Sequence, residues 1–293
     1  MDARFGEQSD PNFASGMGSK THWNPVTTNL KQPFDRAFAD LDQGWFVGGT
    51  FQQPLLYSAD RNQTVGEHPT DVGVAEIFGY LPPVPPASLG DRNFIRDHRL
   101  RRADAGRSMA NGISSVDLVS SLAANGNLAF YGAAGQTPDR VDEALSELER
   151  RHPGGSWGCN LIHSPSEPTI EATVAQLLIQ KRIRHVEASA YIDLTEALVK
   201  MRLQSLRRRP SGQVIPDISI MAKASRLEVA SKFLSPAPSE WVQRWLSRGE
   251  ITADQAEWAK EWPICDDLTA EADSGGHTDN RPLSTLVPAF CDL

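Results

Sequence analysis

From about Arg107 onward, short apolar runs alternate with longer amphipathic stretches. The runs at 108–113, 128–133, 157–162, 185–191, 218–224 and 268–272 consist of apolar or small residues with little polar alternation. That is the pattern of strands buried on both faces of a parallel sheet. Between them, apolar positions recur at helical spacing: Val141, Ala144, Leu145 and Leu148; then Ile170, Val174, Leu177 and Leu178; then Leu194, Leu198 and Met201. Thr137-Pro138 opens the first set as a helix N-cap and a first helical position. The spacing predicts a repeating βα fold of class α/β.

One interval is longer than the rest. Residues 236–262 place Trp241, Trp245 and Leu246 on one helical face, and Ala256 and Trp258 follow after Gly249-Glu-Ile-Thr252. Thr252 can cap the second segment, so the stretch predicts an inserted helical hairpin packed through its aromatic residues. Residues 1–88 have a different texture, rich in Pro, Gly, Asn and Gln with isolated aromatics. They predict an N-terminal extension, disordered over 1–28, with a β-hairpin over 44–59 that turns at Gly48-Gly49. Leu81-Pro-Pro-Val-Pro-Pro86 is a stiff linker into the second domain, 89–293.

With 293 residues, 40% of them hydrophobic, the chain can bury one large core and carry an extension. Its formal net charge of −8 argues against nucleic acid as a partner. The basic runs 181–184 and 207–209 each close a predicted helix, where cations suit the negative end of the helix dipole. No apolar run is long enough to span a bilayer. The first twenty residues carry acidic groups without an apolar stretch, unlike a secretory signal. The expectation is a soluble, cytoplasmic protein. Cys159, Cys265 and Cys291 are widely spaced with no Cys-x-x-Cys pair, which argues against a disulfide framework and against zinc.

In a βα repeat the chemistry gathers at the carboxyl ends of the strands. Here those ends carry Asn111-Gly112, Gly132 with Gly135, Asn160 with His163, Glu187 with Ser189, Lys223 with Ser225, and Ser274-Gly275-Gly276-His277. Paired glycines let a flat ligand lie against bare backbone, and a histidine directly after them suits proton handling. Lys223 lies inside Ile-Met-Ala-Lys-Ala, where its charge needs an anionic partner. Glu187 or an anionic ligand meets that need.

Five stretches carry a family resemblance: Met109-Ala-Asn-Gly-Ile113, Asn160-Leu-Ile-His-Ser-Pro165, Val186-Glu-Ala-Ser-Ala190, Ala222-Lys-Ala-Ser-Arg226 and Glu271-Ala-Asp-Ser-Gly-Gly-His-Thr-Asp-Asn-Arg-Pro282. Together they resemble the PfaD family, the flavin-dependent enoyl reductases of polyunsaturated fatty acid synthases and polyketide synthases, which belong with the nitronate monooxygenase-like TIM barrels. The resemblance runs from about Leu89 to the last residue, and the Glu271–Pro282 block is its most specific part. It implies FMN bound at the barrel mouth by Met109, Ala110, Asn111, Asn160, Glu187, Lys223, Ser274, Gly275 and Gly276. It also implies His277 as the catalytic proton donor or thioester-oxygen partner. The implied reaction is reduction of FMN by NADPH and hydride transfer to the β-carbon of an enoyl thioester on an acyl carrier protein. Arg96, Arg99, Arg101 and Arg102 are as compatible with meeting such a carrier as with plain solubility.

The chain departs from the family pattern in two places. Arg107 and Ser108 stand where the family usually has small residues. The chain also stops at Leu293, so the resemblance implies an FMN-type TIM (β/α)8 barrel that is incomplete, about six of eight βα units. The units that would supply a flavin phosphate site are absent, which implies weak FMN binding. A fragment, a half completed by a second chain, and a relic all fit that ending. Two other functions stay open: a nitronate monooxygenase-like flavoenzyme, distinguished by working without NADPH, and a non-catalytic docking component of a synthase complex.

Overall fold

A computed structural model describes residues 41–49, 54–58, 77–272 and 281–293. The chain falls into two units, 1–89 and 90–293. In the first, β1 (Trp45–Gly49) pairs antiparallel with β2 (Pro54–Ser58) on one side and β3 (Ile77–Leu81) on the other. The register sets Val47 opposite Leu56, and Trp45, Val47 and Leu56 form a small buried cluster. Gly48 and Gly49 are strand residues paired with Leu55 and Pro54, so they do not make the expected turn. The connection falls at 50–53 and the stretch 1–28 lies N-terminal to it, both outside the described residues. β3 is not evident from the sequence, because Leu81 reads as the start of the proline linker.

The second unit begins with α1 (Arg92–His98), capped by Asp91, whose side chain accepts from the Asn93 N–H. The chain then runs through β4 (Ala105–Gly106), α2 (Val116–Ala124), β5 (Leu128–Tyr131), α3 (Pro138–Arg151), β6 (Trp157–Ile162), α4 (Pro168–Gln180) and β7 (His185–Ser189). Next come α5 (Glu196–Ser205), a ribbon of β8 (Leu206–Arg208) and β9 (Val214–Pro216), β10 (Ser219–Ala224) and α6 (Leu227–Phe233). The expected inserted pair follows as α7 (Ser239–Ser247) and α8 (Ala253–Trp258), then β11 (Asp267–Ala270) and α9 (Leu283–Cys291). Thr252 caps α8 in a reciprocal capping box with Gln255.

β4, β5, β6, β7, β10 and β11 form one parallel sheet in chain order. The order never doubles back, so every crossover runs the same way and the sheet is a parallel half-barrel. Its strands alternate between two apolar environments. Ala129, Tyr131, Cys159, Leu161, Val186, Ala188, Ile220 and Ala222 pack outward against the helices, on Val141, Leu145, Leu148, Val174, Leu178 and Leu198 among others. Leu128, Phe130 and Met221 face inward, where Leu100 and the α1 residues Phe94 and Ile95 pack against them. Each fully buried Leu, Val or Phe contributes about 1.5–3 kcal/mol.

Two further sequence expectations change, both in the second unit. The first strand is Ala105–Gly106, bonded to Leu128 and Ala129, rather than 108–113. Asn111 and Gly112 hold φ of +58° and +69°, which no strand tolerates, so the apolar run there is a turn. Arg207 and Arg208 lie in the β8–β9 ribbon, while α5 ends at Ser205.

Candidate active site at the carboxyl ends of the strands

After β4 the chain folds back over the end of β5. Ser114 organises the turn: its Oγ accepts from the Met109 N–H at 2.9 Å and donates to the Arg107 carbonyl at 3.0 Å. Backbone bonds pin the loop in place, from Asn111 N–H to the Ala134 carbonyl (2.7 Å) and from Gly112 N–H to the Gly132 carbonyl (2.9 Å). A Cβ on Gly132 would sit 1.8 Å from the Met109 carbonyl oxygen, so the approach requires glycine. The result is a shelf at the mouth with Ala110 and Asn111 exposed, Met109 44% exposed and Ile113 64% exposed.

Beside this shelf the parallel register collects a buried polar group. Asn160 on β6 is level with Glu187 on β7, and Lys223 on β10 is level with Thr269 on β11, two residues before Glu271. Glu187 is 1% exposed and Lys223 7%. Lys223 Nζ lies 2.9 Å from Glu271 Oε1 and 3.9 Å from Glu187 Oε1. Arg107 Nη1 reaches Glu271 at 3.6 Å. Ser108 donates its backbone N–H to Glu187 Oε2 at 3.1 Å, and its hydroxyl donates to the same oxygen. Asn160 Nδ2 donates to Ser189 Oγ at 2.7 Å and to the Glu187 carbonyl at 3.2 Å.

Two carboxylates and two cations balance here, which is what makes burial of the charges tolerable. Burial pushes the Glu187 carboxyl above the usual carboxylate range, against the opposing pull of Lys223 and Ser108. The mouth therefore holds a buried carboxyl, a lysine ion-paired to it and to Glu271, and a hydrogen-bonded amide in fixed positions.

Of the residues singled out in the sequence, Met109, Ala110, Asn111, Asn160, Glu187 and Lys223 meet at this mouth. Ser274, Gly275, Gly276 and His277 lie outside the described residues. His163 is drawn away: its ring stacks on Tyr191 at 5.3 Å and its Nδ1 lies 3.4 Å from buried Glu171. Glu171 also accepts from the Tyr191 hydroxyl at 3.0 Å, and burial beside that carboxylate holds the phenol well above its usual range. Arg107, Ser108 and Glu271 were missed as site residues. Glu271 carried a readable signal, a carboxylate closing an apolar run at a strand end. Ser108 was hidden by its placement inside a supposed strand.

No protein-family model matches the chain. It is 37% identical over 240 residues to a polyunsaturated fatty acid synthase protein of Thraustochytrium sp., covering 82% of this chain and 16% of that protein. It is 31% identical over 284 residues to the polyketide biosynthesis protein PksE of Bacillus subtilis, covering 94% of this chain and 36% of that one. The enoyl reductase domain of MlnA, from the macrolactin biosynthesis cluster of Bacillus amyloliquefaciens, superposes with a TM-score of 0.67 at 35% identity. That match covers 71% of this chain and 47% of the solved one. The chain thus spans 16% and 36% of the length of these two curated relatives. By sequence and by fold, the chain is similar to components of polyunsaturated fatty acid synthases and to polyketide biosynthesis proteins, which is the PfaD-like resemblance that its motifs carry.

Proposed function

We propose that this site reduces the double bond of an enoyl thioester carried on an acyl carrier protein, with FMN as cofactor and NADPH as reductant. The observation that carries the reading is the charge-balanced network of Lys223, Glu187 and Glu271 beside an apolar shelf, at the strand ends where such folds work. Likeness to a solved domain described as an enoyl reductase supports it.

The residues present fit a flavin. A flat, largely neutral heterocycle with donors and acceptors along one edge needs an apolar surface and hydrogen-bonding groups of both kinds. Met109, Ala110 and Ile113 supply the surface; Lys223 supplies a donor, and the Asn160 amide oxygen, left over once both its N–H groups are bonded to Ser189 and the Glu187 carbonyl, supplies an acceptor with Glu187. A flavin bound there supplies two-electron transfer between a nicotinamide and a carbon–carbon double bond. Asn111, Asn160 and Lys223 hold and orient it, and Ser108 keeps Glu187 turned toward Lys223. In the net reaction the enoyl β-carbon gains a hydride equivalent and the α-carbon a proton, while NADPH becomes NADP+. We assign the proton delivery to His277 on the strength of the Gly-Gly-His block, with Ser274, Gly275 and Gly276 against the ring.

The test is anaerobic turnover of the FMN-supplemented chain with NADPH and a crotonyl thioester. Thioester-dependent NADPH oxidation with a saturated product in the mass spectrum is expected. Catalytic consumption of a nitronate in air, with O2 as oxidant and without NADPH, and no saturated thioester in the anaerobic assay, would instead place the activity with the nitronate monooxygenases.

A further inference from the structure

The opposite end of the half-barrel holds a polar site that this chemistry does not use. At the amino ends of β7, β10 and β11 lies a cavity of about 950 Å³, bordered also by α1 and the β8–β9 ribbon. Arg99, Arg182, Arg184 and Arg209 line it. Four aspartates line it too, but each already has a cationic or histidine partner. Asp97 pairs with Arg96 (3.0 Å), Asp217 with Arg207 (3.6 Å), Asp266 with Arg202 (2.8 Å) and Asp267 with His98 (2.9 Å). Among the described residues, none of the four arginines has a carboxylate within ion-pair distance.

Ordinary helix chemistry accounts for only half of this cluster. Arg99 and Arg182 follow the C-terminal turns of α1 and α4, where a cation suits the helix dipole. Both hold left-handed backbone, φ +58° and +53°, where glycine would fit more cheaply. Arg184 and Arg209 lie in no helix. Burial, together with Arg99 and Arg209, pushes the Arg184 guanidinium below its usual range, as expected for cations gathered without counterions. The floor adds a second observation. His185 is 3% exposed, and neither of its ring nitrogens has a hydrogen-bond partner among the described residues. Nδ1 of the neighbouring His98, 5.2 Å away ring to ring, is likewise unpartnered.

Guanidinium groups bind phosphate oxygens through paired N–H donors, and a neutral imidazole adds a donor or acceptor for a phosphate ester. We propose that this cavity binds a small anion bearing two phosphates, held by Arg99, Arg182, Arg184 and Arg209 over His185. The site lies at the opposite ends of the strands from the mouth, and the assignment does not depend on the reductase reading.

Pyrophosphate is the probe. Calorimetric titration of the full chain at low salt is expected to show one saturable site. Arg184→Gln and Arg209→Gln should each weaken it by about tenfold or more. Arg150→Gln, which removes a side chain paired with Glu147 on α3, should leave binding unchanged. Should a variant fold poorly, the unsubstituted chain still decides the matter. Pyrophosphate should slow modification of Arg184 and Arg209 by a dicarbonyl reagent, as read by peptide mass spectrometry. Unsaturable binding, equal affinity in the Arg184 and Arg209 variants, equal binding of citrate, or no protection would each overturn the proposal.

Discussion

Lys223, near the end of β10, and Glu271, just past the end of β11, meet through their side chains at 2.9 Å inside the half-barrel. The backbone makes the meeting possible, because the Glu271 N–H donates to the Ala224 carbonyl at 2.8 Å and extends the β10–β11 pairing one residue further. The contact joins the last strand of the sheet to the network that reaches back through Glu187 to Ser108. Buried charge thus holds the two sides of the mouth in one geometry.

Removing the cation should expose what it balances. Lys223→Met leaves Glu187 and Glu271 buried without it, and loss of one partner of such a pair costs about 3–5 kcal/mol. Urea unfolding at neutral pH should show that loss. The deficit should shrink as pH falls, since the stranded carboxyls can then protonate. Adding Glu271→Gln should recover part of it. A variant as stable as the parent would mean that the network is solvated rather than buried.

Gly132→Ala tests how the shelf is held. The added methyl would collide with the Met109 carbonyl oxygen, a backbone atom that cannot move without unpinning the loop. Expected outcomes are a stability loss of about 1–3 kcal/mol and faster amide exchange over 109–114. Unchanged exchange in that loop would show that the close approach is not what holds it.

Acid should weaken the opposite end of the sheet. Burial, with help from His98 and Arg184, takes His185 from its ordinary 6.5 down to about 3. A base with a lowered folded pKa contributes its stability above the unfolded value and loses it as pH falls toward the folded one. Between pH 6.5 and about 3 the unfolded chain binds the extra proton, so stability should drop by up to about 1.4 kcal/mol per pH unit from this group. His98, Arg184 and Asp267 face the same region. His185→Phe should flatten it; an unaltered slope would assign the acid sensitivity elsewhere.

Arg202 ties the inserted helices to the barrel. Fully buried, it donates to the carbonyls of Pro263 (2.9 Å) and Ile218 (3.1 Å) and pairs with Asp266 at 2.8 Å. Arg202→Met should cost about 3–5 kcal/mol and loosen α8 first, detected by proteolysis near 248–262. Loss spread evenly over the whole chain would argue that the arginine serves the core in general.

Much of this was legible in the sequence. α3 could be placed because Thr137-Pro138 marks its start and Val141, Ala144, Leu145 and Leu148 keep one apolar face. β6, β7 and β10 could be placed because runs buried on both faces leave little ambiguity. The loop at 108–113 misled, because its apolar residues serve an exposed shelf whose shape comes from Ser114 and a positive φ at Asn111, and neither shows in hydrophobic patterning. Pairing of Lys223 with Glu187 was readable as one of two options. Its closer partner Glu271 was not, since only the β10–β11 register brings it near. Arg99 was grouped with its sequence neighbours Arg101 and Arg102, whereas folding sets it with Arg182, Arg184 and Arg209.

Everything proposed for the mouth rests on Met109, Asn111, Asn160 and Lys223 holding a flavin. The most direct test is fluorescence titration of FMN with the chain, which registers weak binding as well as tight. Saturable quenching is expected, weakened about tenfold or more by Asn160→Ala, the loss of a buried hydrogen-bonding group, and left unchanged by Arg150→Gln. Absence of quenching, or equal quenching by the Asn160 variant, would contradict it.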